Sequence, residues 1–184
     1  SMGSGAVTVT AVSVYAGSML CLYTASTVYH SLNTNVQGRL FLRKLDHVMI
    51  YFLIAGTYTP ICTITLSGMM SGRVMLAVIW AMALLGTGFT LFWIKMPRAL
   101  TSVIYLVMGW TAIFAIYPLH AVMNTISFAM LLAGGILYSV GGVLYALKWP
   151  GRNNKYFGCH EIFHVFIVLG SVCHFIMIYH ILGA

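Results

Sequence analysis

Three histidines have the residue type and spacing of ligands for a metal ion. His160 and His164 are four positions apart, so on a helix their side chains stack on one face about 6 Å apart. Ser26 and His30 have the same spacing on another segment, and His30 is the third imidazole that we choose. Three imidazoles with an open position for water are typical of a catalytic zinc site. The sequence therefore predicts Zn²⁺ bound by His30, His160 and His164.

The chain has two acidic residues, Asp46 and Glu161, and we assign them different roles. Asp46 is expected to orient the water at the ion and to take its proton as a general base. Ser26 would hydrogen-bond a ligand or donate to developing negative charge. An alternative follows from the string H-E-x-x-H at positions 160–164, the metalloprotease signature in which Glu161 is the base. This short string arises easily by chance, so we rank it lower.

The other histidines receive structural interpretations. His174 would lie about 21 Å along the helix from His160, which is too far to share an ion. His180 points to another side of that helix, and His120 is expected in an outer loop. His47 faces about 100° away from the preceding carboxylate, so it is expected to be structural or to support the site indirectly.

Composition places the chain in a membrane. It is 61% hydrophobic and only 6% charged, whereas soluble domains are about 25% charged. Nine basic and two acidic residues cannot cover the surface of a soluble protein of this size, so lipid must be the surrounding solvent. The net charge of +7 is spread over several loops, which argues against a nucleic-acid partner. The four cysteines form no C-x-x-C pair and predict no disulfide framework.

Six segments are long and apolar enough to span a bilayer, and the fold class is an all-α, polytopic transmembrane helix bundle. We expect residues 1–5 to be a linker or tag-like segment and residues 6–184 to form one transmembrane domain. Gly56 and Pro60 predict a bend, and paired glycines seven residues apart near Gly134 and Gly141 predict close approach of a neighbouring helix. The spans are Ala6–His30, Asp46–Leu66, Val74–Ile94, Ala99–Leu119, Ala121–Leu147 and His160–Leu182.

Basic residues alternate between successive loops. The first, third and fifth loops hold eight of the nine, and the second loop holds the other. Because cytoplasmic loops carry the excess of Lys and Arg, the odd-numbered loops are expected in the cytoplasm and the C-terminus outside, in a bacterial plasma membrane. We interpret these charges as a topology signal rather than a ligand site. They are Arg39, Arg43 and Lys44, then Arg73, then Lys95 and Arg98, and last Lys148, Arg152 and Lys155.

At these residues the sequence resembles the haemolysin III proteins, the bacterial branch of the progestin and adipoQ receptor family, within the superfamily of alkaline ceramidase-like membrane hydrolases. The resemblance rests on S-x3-H at Ser26 and His30, on Asp46 opening the next helix, and on H-x3-H at 160 and 164. It extends over ASTVYHSL, LDHVMIYFLIAGTYTP, YLVMGW and GSVCHF. It implies a seven-helix bundle, with zinc on three histidines and with the Asp and Ser beside it. This sequence shows six spans and departs from the family at its first helix; one more helix upstream would return the amino terminus to the cytoplasm, consistent with the charge count.

The resemblance and the site lead to several functional hypotheses. The favoured one is zinc-dependent hydrolysis of lipid amides, as in a ceramidase, with membrane lipids as partners and Asp46 as base. A non-enzymatic membrane sensor or regulator that zinc stabilises is the main alternative, and a cytolytic protein is another. The oligomeric state stays open.

Overall fold

The computed structural model describes residues 2–93, 97–149, 151 and 158–183. These residues fold into helices joined by short connections, and no strand occurs among them. This confirms the all-α class. The elements are α1 (Met2–Ser31), α2 (Val36–Pro60), a π-helical turn (Ile61–Thr65), α3 (Met70–Phe92), α4 (Arg98–Gly109), a 3₁₀ segment (Trp110–Ala115), α5 (Ile116–Val122), α6 (Thr125–Leu147) and α7 (Cys159–Leu182).

Six helical segments of the described chain are long and apolar enough to cross a membrane. The fourth combines α4, the 3₁₀ segment and α5. In five of the six, a third or less of the most apolar 18-residue stretch is buried. Most of their apolar side chains therefore point outward. Phe92, Phe114 and Tyr117, for example, are each more than 85% exposed. Apolar surface on six segments of spanning length is typical of helices that face lipid, and the predicted class of integral membrane protein is confirmed.

The second span begins earlier than its hydropathy suggested. The sequence predicts a start at Asp46, but α2 starts at Val36 and puts Asp46 near the end of its third turn. The side chain of Asn35 accepts a hydrogen bond from the N–H of Gly38 at 2.8 Å, so it caps the helix at a polar position. Hydropathy does not detect such a start, because these first turns carry arginine and lysine.

The irregularity expected at Gly56 and Pro60 takes the form of a change in helical winding. Pro60 has no N–H with which to bond the carbonyl of Gly56. The five residues that follow it, Ile61–Thr65, wind as a π-helix. Gly56 itself has another role, because a side chain there would overlap the side chain of Ser18 on α1.

The chain divides into two compact units, of which the first is Ser1–Met96. In this unit α2 packs on both α1 and α3. As a result, 61% of the most apolar 18-residue stretch of this span is buried. Tyr51 is fully buried and occupies the space that Gly86 of α3 leaves open. Its hydroxyl accepts a hydrogen bond from Thr90 at 3.4 Å. α2 is therefore the central helix of this unit.

The second unit is Pro97–Ala184, and the α6–α7 pair forms its closest helix packing. Gly134 and Gly141 of α6 leave room for His174 and Phe166 of α7, as the glycine spacing predicted. The hydroxyls of Tyr138 and Ser171 are 2.8 Å apart across the same interface. The indole N–H of Trp110 also ties the 3₁₀ segment to α6, by donating to Ser139 at 2.8 Å.

Some residues that entered the predictions lie outside the described part of the chain. They include three of the basic loop residues, Lys95, Arg152 and Lys155, and the predicted span end Ile94.

Candidate metal centre

The start of α7 is set by a local hydrogen bond. The carboxylate of Glu161 accepts the N–H of Gly158 at 2.9 Å, which satisfies one of the donors that a helix leaves free at its N-terminus. The helix begins at Cys159, one residue before the predicted start. His160 therefore lies in the first turn and His164 one turn later.

The two histidines of α7 converge on one point. Their Nε2 atoms are 3.2 Å apart, and their ring centroids are 4.5 Å apart in an edge-to-face arrangement. Both side chains are half-buried. Two nitrogens that both bind one zinc ion at about 2.0–2.1 Å with tetrahedral angles lie roughly 3.3 Å apart. The observed separation therefore suits two ligands of one ion.

The third histidine lies at the end of α1. His30 is the second-last residue of that helix and is exposed. Its ring packs edge-on against Tyr29, with centroids 4.8 Å apart. Ser26 is half-buried one turn earlier, so the predicted Ser26–His30 pair shares a helix face at this end of α1.

Asp46 is a nearly buried carboxylate, with 9% of its surface exposed. The imidazole of His47 lies beside it, with 3.7 Å between Nδ1 and Oδ2. The same Nδ1 is 2.8 Å from the carbonyl of Arg43. Since a carbonyl only accepts, this nitrogen carries the proton. His47 therefore donates its Nδ1–H to the carbonyl of Arg43, and its ring lies beside the candidate base.

The ligand nitrogens of His30, His160 and His164 lie within 4.8 Å of one another. These are the three histidines predicted from the sequence, and together they form a group that could hold a metal ion. In the described residues the group contains no carboxylate. Asp46 is not a member of this group, and its role as a base stays a prediction.

The remaining histidines have other contacts. His174 is buried, donates from Nδ1 to the carbonyl of Gly170 at 2.8 Å, and stacks on Tyr138 with centroids 5.2 Å apart. His120 lies in the last turn of α5 and not in a loop, because the helix continues to Val122.

One neighbour of the site was not anticipated. The ring of Tyr145 on α6 lies 6.0 Å from that of His160 and 4.8 Å from that of Phe163. No motif includes Tyr145, and only the packing of α6 against α7 places it there. The sole sequence signal was the glycine spacing on α6, which indicated that α6 approaches a neighbour closely.

The fold and the site define a class, a polytopic helical membrane protein with a three-histidine group suited to a metal ion. Residues 1–175 match the model of the family described as "Haemolysin-III related", and the chain belongs to that family. It is 41% identical to "Hemolysin-3" of Bacillus cereus over 91% of this chain and 73% of that protein. It is 40% identical to "Hemolysin-3 homolog" of Bacillus subtilis over 88% of this chain and 72% of that protein. It is also 25% identical to the human "Monocyte to macrophage differentiation factor" over 90% of this chain and 68% of that protein.

Proposed function

We propose that this protein is a zinc-dependent membrane hydrolase that cleaves lipid amides. The observation that carries the proposal is the three-histidine group, whose ligand nitrogens lie within 4.8 Å of one another. Ionisable side chains at the ends of membrane spans are by default candidates for function. Here the three come from positions separated by up to 134 residues in sequence, so no local folding requirement explains them.

The donor set fits zinc and fits a catalytic site better than a structural one. Imidazole is a common zinc ligand, and structural sites are usually completed by four protein ligands. In the described chain the group contains only the three imidazoles. Zinc held in this way would supply a Lewis acid that lowers the pKa of water to about 7.

Asp46 supplies the base in this proposal. It is nearly buried, so its carboxylate has few waters to compete with substrate, and the imidazole of His47 lies beside it. Ser26, one turn from His30, would support that ligand or donate a hydrogen bond to negative charge that develops on the substrate. Proton transfer by a positioned base contributes about 10²–10⁴-fold to a rate.

Glu161 is a weaker candidate for the base, which bears on the metalloprotease alternative. Its carboxylate accepts the Gly158 N–H at 2.9 Å, so it has a role at the helix start that needs no catalysis. The H-E-x-x-H string is therefore explained by two ligands and a capping residue.

A lipid substrate follows from where the candidate ligands lie. His160 and His164 occupy the first two turns of the span Cys159–Leu182. Only 28% of the most apolar 18-residue stretch of this span is buried, so the span is open to lipid. A substrate that arrives through the bilayer would place its polar amide near such a span end and its chains in the hydrocarbon.

A non-enzymatic role remains the second candidate, and the names "Hemolysin-3" and "Monocyte to macrophage differentiation factor" of the relatives suggest lytic or regulatory roles. In that case zinc would stabilise a sensor, a regulator or a cytolytic protein without turnover.

The deciding experiment measures zinc content and hydrolysis on the same purified, full-length protein. A panel of lipid amides with different headgroups is incubated with the wild type, His164→Ala and the control His180→Ala, which changes a histidine at the other end of α7. We expect release of fatty acid by the wild type and His180→Ala, and none by His164→Ala. Full zinc occupancy without release from any lipid in the panel would favour the sensor or regulator.

A further inference from the structure

The second span is longer than a membrane requires. It runs over 30 residues, Val36–Thr65, which corresponds to about 45 Å of helix. The hydrocarbon core of a bilayer is about 30 Å thick, so roughly ten residues extend beyond it. The first ten contain Arg39, Arg43 and Lys44, whereas residues 46–65 contain neither Arg nor Lys. The excess length therefore lies at the start of α2.

A contact within the first unit marks the depth of this segment. The ammonium group of Lys44 donates to the carbonyl of Leu91, with 2.6 Å between Nζ and O. Leu91 is next to the last residue of α3, and the following Trp93 is 49% exposed. Tryptophan is enriched at the boundary between hydrocarbon and water. Lys44 thus lies at that boundary, and the turns of α2 before it lie at the level of the lipid headgroups.

Four exposed side chains form one stripe along these turns. Val36, Arg39, Leu40 and Arg43 have the spacing i, i+3, i+4 and i+7, so they share a helix face. We call them the basic-apolar stripe. Val36 is 78% and Leu40 is 40% exposed, beside two exposed arginines. In the described part of the chain no salt bridge involves either arginine.

We propose that the basic-apolar stripe binds the headgroup of an anionic phospholipid. Two guanidinium groups one turn apart present paired N–H donors that match phosphate oxygens. The neighbouring Val36 and Leu40 would contact the glycerol and the upper part of the acyl chains. A zwitterionic lipid fits less well, because its cationic group would lie against the same arginines. Arg39 and Arg43 therefore bind a lipid headgroup in addition to setting the orientation of the chain in the membrane.

The test is native mass spectrometry of the full-length protein released from nanodiscs of equal parts phosphatidylglycerol and phosphatidylcholine. We expect the wild type to retain phosphatidylglycerol in preference to phosphatidylcholine. Each basic residue near an anionic membrane strengthens binding by an amount that corresponds to about five-fold in affinity. Arg39→Gln and Arg43→Gln should therefore each reduce the preference by about five-fold.

The control is Arg73→Gln, which removes one exposed positive charge from α3 at the opposite end of its unit. It should leave the preference unchanged, and circular dichroism should show equal helix content in all variants. Equal retention of the two lipids by the wild type would overturn the proposal. So would an effect of Arg73→Gln as large as those of the stripe variants, or displacement of the bound lipid by millimolar inorganic phosphate. None of these readouts uses zinc or substrate, so they are independent of the proposed hydrolase activity.

Discussion

The imidazole of His174 on α7 packs directly against the backbone of Gly134 on α6, in space that any side chain at position 134 would fill. The same ring stacks on Tyr138, one turn along α6, and donates a hydrogen bond to Gly170. Tyr138 in turn occupies space that Gly170 leaves open. Two rings and two glycines thus fix how closely α6 and α7 approach.

Gly134→Ala is expected to destabilise the protein by about 1–3 kcal/mol, the usual cost of overpacking a close contact. Gly135→Ala is the matched control, since a side chain there meets no atom within 4 Å. Alanine at that position should be neutral or stabilise the helix by about 0.5–1 kcal/mol. Thermal unfolding of the two variants in the same detergent measures the difference, and equal losses of stability would contradict the packing.

Zinc binding should depend on all three histidines of the group. We expect one zinc per chain in the wild type, and His30→Ala, His160→Ala or His164→Ala should each remove most of it. His120→Ala and His180→Ala are the controls. Ser26→Ala should weaken binding by roughly 10 to 100-fold without abolishing it, as a residue that supports a ligand does. Metal analysis after dialysis measures these contents, and full occupancy in His30→Ala would exclude a three-histidine site.

Asp46→Asn and Glu161→Gln separate the enzymatic hypotheses. If Asp46 is the base, Asp46→Asn should keep most of the zinc and lower turnover by about 10²–10⁴-fold. Glu161→Gln should retain turnover, because the Gln side chain can still accept the Gly158 N–H. Both rates are measured with the best substrate found in the lipid panel. The metalloprotease alternative predicts the reverse pattern, with Glu161→Gln inactive.

The predicted topology places the connection after α1 inside the cell and the connection between the π-helical turn and α3 outside. In a background from which the exposed Cys21 has been removed, Ser67→Cys should react with an impermeant thiol reagent applied to intact cells. Asn33→Cys should react only after the membrane is opened. Labelling of Asn33→Cys in intact cells would reverse the orientation inferred from the basic residues.

The sequence alone determined the features that depend on local physics. The six spans follow from hydropathy, because a helix that faces lipid must be apolar over most of its length. The pairing of His160 with His164 follows from helix geometry, because residues four apart always share a face. The glycine spacing on α6 similarly predicted a close neighbour, although not that His174 would occupy the space at Gly134.

Tertiary structure decided what depends on contacts between distant segments. The grouping of His30 with the α7 pair was suggested by matching residue types, because no local rule relates residues 134 positions apart in sequence. The position of Tyr145 beside His160 was not predicted, because the glycine spacing on α6 indicates a close neighbour but not which side chain meets it. The start of α2 at Val36 was missed for a different reason. Its first turns carry charged residues, so hydropathy does not mark them, and the cap by Asn35 and the Lys44–Leu91 hydrogen bond are seen only in the structure.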